Sequence, residues 1–205
     1  MSSKQNTVPI VAAFDFDGTL TYCDSLFPFL LYAQGLAVVV SKIGKHIPSL
    51  IKCLLKKISR QQVKEEILTT FFGGRPIEEI RKLGKDFAYG KLNRLVKPEG
   101  LERLQWHLNQ GHRCILISAS LDIYLHPWAN YTGFQDVISS RLESDNKGLA
   151  TGKLIGKNCR GSEKVRRLLE LVGPRENFCL YAYGDSEGDK ELLEIADFPY
   201  YRRMH

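Results

Sequence analysis

Two carboxylates, Asp15 and Asp17, follow directly on the apolar run at residues 8–14 and are separated by a single residue. Side chains at i and i+2 of an extended chain project the same way, so both acids can face one bound group. One can attack an electrophile while the other moves a proton, the division of labour that metal-assisted phosphoryl transfer requires. Gly18 permits a sharp turn, and Thr19 offers a hydroxyl and an N–H to a phosphate oxygen.

Such a pair needs a strand end to hold it. From Pro98 onward the pattern alternates between helix and strand. Leu101, Leu104 and Leu108 recur at helical spacing up to Gly111, and residues 114–117 form an apolar strand that stops at Ser118. A helix is predicted over 122–131 and a short strand from Val137. Residues 141–143 and 149–154 flank a hairpin turn at 145–148. Ser162 is expected to cap a helix bearing Val165, Leu168, Leu169 and Val172. A buried strand over 178–183, a helix over 187–196 and a last strand near Tyr200 complete the pattern. This alternation predicts an α/β fold, a doubly wound parallel sheet with helices on both faces. Ligands in such sheets bind beyond the carboxyl ends of the strands, where Asp15, Ser118 and Asp185 all stand. Residues 60–72 and 77–95 read as amphipathic helices. The expected division is therefore a core of 1–24 and 96–205, with a small helical cap of 25–95 inserted after the first strand.

Four stations then occur in order: DFDGT at 15–19, ILISAS at 115–120, Lys164, and GDSEGD at 184–189. Their order resembles the haloacid dehalogenase superfamily, in particular the phosphatases whose helical cap lies between the first two motifs. Phosphoserine phosphatases and the bacterial phosphatidylglycerophosphatase C group belong there. The resemblance implies a Rossmann-like core and a covalent mechanism. In it Asp15 forms an aspartyl phosphate, and Asp17 protonates the leaving alcohol and then activates water. Thr19, Ser118, the N–H of Ala119 and Lys164 would hold the phosphoryl oxygens. Mg²⁺ would be bound by Asp15, the backbone carbonyl of Asp17 and Asp185, with Asp189 holding a metal-bound water or orienting Lys164. Charge counting agrees, because Asp15, Asp17, Asp185 and Asp189 are too much negative charge for a pocket that must also admit a phosphate dianion. A divalent cation and Lys164 offset it, and oxygen ligands suit Mg²⁺.

Departures from phosphoserine phosphatase bear on the substrate. Asp24 stands where that family has Glu, Gly188 where it has Asn, and apolar residues surround Leu68 where it carries a carboxylate-binding Arg. Phosphoserine is therefore disfavoured. A phosphotransferase passing the aspartyl phosphate to an alcohol, or a membrane-associated binding module without catalysis, would share the same core.

Composition narrows the partners. The 205 residues are 43% hydrophobic and 25% charged, enough for one good core, and the net charge of +6 favours anionic partners. Five cysteines without a Cys-x-x-Cys spacing suit a reducing, cytoplasmic setting. Residues 1–7 are polar and do not read as a secretion signal. No nucleic-acid motif accompanies Arg166 and Arg167, so no nucleic acid is expected. The glycines near Lys153 and Lys157 lack P-loop spacing, and His107 and His112 lack zinc-protease spacing.

Charge is uneven along the cap. No acidic residue falls between Ser25 and Lys64, a stretch bounded by seven bases from Lys42 to Lys64. Ile47, Leu50, Ile51, Leu54, Leu55 and Ile58 form one helical stripe with Lys52 and Lys56 elsewhere on the wheel. Residues 26–40 carry no charge. Two readings stand open for these segments: an ordinary cap that packs its stripes on the core of a cytoplasmic protein, or an interfacial hairpin that dips into an anionic leaflet and makes the protein peripheral at the cytoplasmic membrane.

Overall fold

The computed structural model describes residues 8–205. Strand β1 (Ile10–Phe14) leads into five helices: α1 (Leu26–Gln34), α2 (Leu36–Ile43), α3 (Ile47–Leu54), α4 (Arg60–Phe72) and α5 (Ile77–Gly90). Then come α6 (Pro98–Asn109), β2 (Arg113–Leu121), α7 (Asp122–Thr132), β3 (Asp136–Ser140) and the hairpin β4 (Leu142–Ser144) and β5 (Ala150–Leu154). Helix α8 (Ser162–Val172), β6 (Cys179–Gly184), α9 (Lys190–Glu194) and β7 (Phe198–Tyr201) end the chain.

Five parallel strands form one sheet in the order β3-β2-β1-β6-β7, with β1 at its centre. Alternation along β1 divides the core. Ala12 and Phe14 pack on one face with Leu104, Trp128 and Phe134, while Val11 and Ala13 pack on the other with Leu168 and Leu192. Helices therefore cover both faces, as the sequence pattern predicts for a doubly wound sheet.

The inserted helices are tied down at two places. Thr21 bridges Val96 where the chain leaves and re-enters the sheet layer, with Tyr22 N–H donating to the Leu95 carbonyl at 2.9 Å. Across the insertion, Pro76 bridges Leu149, and Gly152 lets β5 lie directly on α4. A Cβ at Gly152 would sit 2.3 Å from the Thr69 backbone. Helix α4 opens on a capping box in which Ser59 Oγ accepts from Gln62 N–H at 3.1 Å and Gln62 accepts from Ser59 N–H at 2.8 Å.

Several local expectations shift. Ser162 is the first helical residue rather than the cap. Gly161 takes that place at φ +62° and no side chain caps the helix. Strand β2 runs on past Ser118 to Leu121, with its register against β3 slipping after Ile117. The predicted 187–196 helix shrinks to α9, because residues 186–188 bend around the Asp189 carboxylate. The helix expected to reach Leu95 ends at Gly90, followed by a 3₁₀ turn. The uncharged segment 26–40 breaks at Gly35 (φ +79°), and α1 buries Phe29 and Leu30 against Phe72, Phe87 and Tyr124. Phe29, Leu30 and Val39 thus belong to the core, while Phe27, Leu36 and Val40 of the same segment are exposed. Helix α3 differs, having no buried residue: Ile47, Leu50, Ile51 and Leu54 all face solvent. No helix among the described residues is long and apolar enough to cross a membrane.

Candidate active site

The carboxyl ends of β1, β2 and β6 converge on one buried cation. Lys164, in the first turn of α8, is 2% exposed and donates to Asp15 Oδ1 at 2.5 Å, Asp189 Oδ1 at 2.6 Å and the Ile117 carbonyl at 2.8 Å. Burial alone would push its ammonium down, but Asp15 and Asp189 override that and hold it charged. Asp15 is raised to about 6 by burial, with Lys164 opposing and Asp189 and Asp185 adding to the rise. Asp189 goes the other way. Burial would raise it, but Lys164 and the Ser186 hydroxyl and N–H keep it below the usual carboxylate range.

Carboxylate oxygens of Asp15, Asp185 and Asp189 all lie within 4.8 Å of one another. Asp185 is half-buried and raised by burial and by Asp189. Thr19 Oγ1 joins it to Asp15, at 3.0 Å from Asp15 Oδ2 and 3.4 Å from Asp185 Oδ1. Gly18, at φ +82°, is required here, since a Cβ would lie 2.3 Å from an Asp185 oxygen. Three hard oxygen donors with one lysine already shared between two of them suit a Mg²⁺-like cation.

Asp17 stands apart from that cluster. Its Oδ1 accepts the Ser25 N–H at 2.8 Å and its Oδ2 accepts the Ser120 hydroxyl. Ser25 and Ser120 hydroxyls are themselves 3.1 Å apart, and Tyr124 lies 3.1 Å from Ser25 Oγ. Burial, then the Asp24 charge, lifts the Asp17 carboxyl to about 7 against these hydrogen bonds. Asp24 is exposed and accepts the Leu26 N–H at 2.9 Å, opening α1. The slip in β2 leaves residues 118–120 without partners in the β3 ladder, and there Ser118 Oγ accepts the Ser120 N–H at 3.0 Å.

Beyond Asp17 opens a cavity of about 950 Å³ between α3, α4 and the β2 end. Asp17, Asp24, Ala119 and Ser120 line its base. Lys64, Arg160 and Asn158 line it as well, and none of these three was expected from the sequence. Lys64, on α4, is half-buried and donates to the Ala119 carbonyl. Burial pushes its ammonium down to about 8, with Asp17 and Asp24 pulling the other way. A signal for Lys64 existed: it sits four residues before Leu68 and seven before Phe71, on the buried face of α4. Ser25, Ser120 and Tyr124 carried no such signal, because their network around Asp17 joins residues 17–25 to the distant residues 120–124. His107 and His112 lie elsewhere: His107 is buried and bonded to Tyr183, and the half-buried His112 meets its other ring nitrogen.

A profile of the haloacid dehalogenase-like hydrolases matches residues 12–194. The chain belongs to that family. This haloacid dehalogenase-like hydrolase is 33% identical to protein CicA of Caulobacter vibrioides over 202 residues, covering 98% of the chain and 90% of that protein. In structure it is similar to a Bordetella pertussis Tohama I protein of unknown function (TM-score 0.80, 23% identity, 95% and 90% of the two chains). It is also similar to a phospho-aspartyl intermediate analogue of phosphoserine phosphatase (TM-score 0.60, 20% identity, 93% and 84% of the chains).

Proposed function

We propose that the chain is a Mg²⁺-dependent phosphomonoesterase that works through an aspartyl phosphate on Asp15. The observation carrying this reading is Asp15 itself: a buried carboxylate oriented by Lys164 at 2.5 Å, inside a three-acid cluster and beside a separately held acid, Asp17. Asp15, Asp185 and the backbone carbonyl of Asp17 would hold the cation, which when bound neutralises charge on the phosphoryl oxygens. An oxygen of Asp15 bonds to phosphorus as the ester oxygen departs, taking its proton from Asp17. Water then attacks the aspartyl phosphate and gives its proton back to Asp17, freeing phosphate and Asp15. A carboxyl raised to about 7 serves both halves, as acid and then as base. Thr19, the turn at Ser118-Ala119 and Lys164 stabilise the equatorial oxygens. Asp189 keeps Lys164 charged and in place.

For the substrate we favour an amphiphilic, phospholipid-type phosphate over a small organic one. The helices of residues 25–95 act as the cap, and Leu26, Leu50, Leu54, Ile58, Val63 and Ile67 line the cavity opposite Asp17. The same α3 presents Ile47 and Ile51 to the outside, beside lysines and no acids, a surface complementary to an anionic leaflet. Purified protein should release phosphate from an aryl phosphate with Mg²⁺ and lose this on adding EDTA. Undiminished release in EDTA would overturn the metal assignment.

A further inference from the structure

Gly188 occupies the last motif where phosphoserine phosphatases carry Asn, and the space it leaves is filled. A Cβ there would lie 2.2 Å from a terminal nitrogen of Arg160 and 2.7 Å from its guanidinium carbon. The Arg160 side chain therefore lies over this glycine, and the two backbones are joined by the Gly161 N–H donating to the Gly188 carbonyl at 2.8 Å. Other partly buried arginines of the chain are satisfied. Arg167 bonds Glu163 and two carbonyls, and Arg175 bonds Asp197 and two carbonyls. Arg160 is half-buried, yet among the described residues its side chain meets no hydrogen-bond acceptor and no carboxylate within ion-pair distance.

Its neighbour across the cavity is another cation. Arg60, at the start of α4, lines the same cavity, and its charge, after burial, depresses the Arg160 guanidinium. Both arginines thus belong to the wall of one cavity, with Asp189, Asp15 and Asp185 pulling the Arg160 guanidinium the other way. Five bases line the cavity against two acids, Asp17 and Asp24. Asn158 also lines it. Its amide oxygen is taken by Ser140 Oγ at 2.8 Å, which leaves its NH₂ as a further donor. Lys164 is committed to Asp15 and Asp189, so these bases are the positive charge the cavity itself offers to a substrate.

We propose that Arg160, Arg60 and the Asn158 amide form a second oxyanion subsite, which holds an anionic group of the substrate other than the transferred phosphoryl. The favoured substrate is then a phosphate monoester that also carries a phosphodiester or a carboxylate, bound by bidentate guanidinium contacts. This rests on the phosphomonoesterase reading above and sharpens it.

The test compares matched substrates under Mg²⁺: glycerol 3-phosphate with 3-phosphoglycerate, and dioctanoyl phosphatidate with dioctanoyl phosphatidylglycerophosphate. Each second member adds one oxyanion, the first pair in water-soluble form and the second in lipid form. Wild type should prefer the doubly anionic member of one pair in kcat/KM by roughly 10-fold or more, as expected of charge-assisted hydrogen bonds. The pair that shows the preference identifies the source. In Arg60→Gln/Arg160→Gln the ratio should collapse toward one, mainly through KM, whereas Arg160→Lys should retain part of it. Gly188→Asn, which displaces the guanidinium, should lower the ratio in the same sense. Because a ratio within one variant cancels its folded fraction, poor folding cannot mimic the result. A wild-type ratio near one in both pairs, or Gln variants that slow both members equally, would overturn the subsite while leaving the monoesterase reading intact. No release from any of the four substrates would overturn that reading and the subsite with it.

Discussion

Asp17→Asn separates the two chemical steps assigned to Asp17. The substitution keeps the shape of the side chain and removes its transferable proton. The new amide oxygen can still accept the Ser25 N–H, now at 2.8 Å, and its NH₂ can donate to Ser120 Oγ once that hydroxyl turns to Ser25 Oγ, 3.1 Å away. With its hydrogen bonds preserved, the folded state should lose no more than about 1 kcal/mol. A general acid or base is worth roughly 10²–10⁴-fold, and the two steps should feel that loss differently. An aryl leaving group departs without protonation, so Asp15 should still be phosphorylated, but water attack on the aspartyl phosphate has lost its base. Rapid mixing with an aryl phosphate should show a burst of one phenol per active site, followed by turnover slowed roughly 10²–10⁴-fold. An alkyl phosphate should show no burst. In wild type, the carboxyl raised to about 7 must be protonated for the first step, so kcat/KM on alkyl phosphates should fall about tenfold per pH unit above that value. Equal slowing of aryl and alkyl substrates with no burst would refute the assignment of Asp17 as acid and base.

Removing the cation between Asp15 and Asp189 with Lys164→Met leaves two buried carboxylates facing each other, and stability in urea should drop by roughly 3–5 kcal/mol. An unchanged midpoint would show that the pair is not a buried charge network. Burial, then Arg103, lowers the folded-state pKa of His107 from 6.5 to about 3, so its contribution is full above 6.5 and is lost as pH falls toward 3. Wild type should therefore lose up to about 1.4 kcal/mol per pH unit across that window, and His107→Gln should flatten this slope in acid titrations followed by circular dichroism. For the cap, co-sedimentation should show binding to phosphatidylglycerol vesicles that weakens with salt and is absent from neutral vesicles. Lys52→Glu/Lys56→Glu should weaken it by at least roughly 30-fold, taking about 1 kcal/mol per lysine. Recovery in the supernatant with both vesicle types would mark α3 as an ordinary soluble lid.

Period and punctuation in the chain were enough to read the alternating strands and helices, and with them the strand ends that carry Asp15 and Asp185, whereas β2 runs on past Ser118. A strand end is a local property: an apolar run of alternating faces followed by Gly or Asp stops wherever it occurs. Lys164 followed from its order among the motifs, and the structure places its ammonium between Asp15 and Asp189. What escaped was set by long-range packing. Ser25, Ser120 and Tyr124 meet Asp17 only because the inserted helices fold back over the β2 end, and the slip after Ile117 that aims residues 118–120 has no local signature. Equally, the uncharged segment 26–40 and the stripe of α3 look alike as sequence. Tertiary structure alone assigns Phe29 and Leu30 to the core and Ile51 and Leu54 to the surface, since an apolar face states that it should be covered but not by what. The pairing of Arg160 with Gly188 belongs to the same class: a missing side chain gains meaning only when the fold brings another residue into the space it leaves.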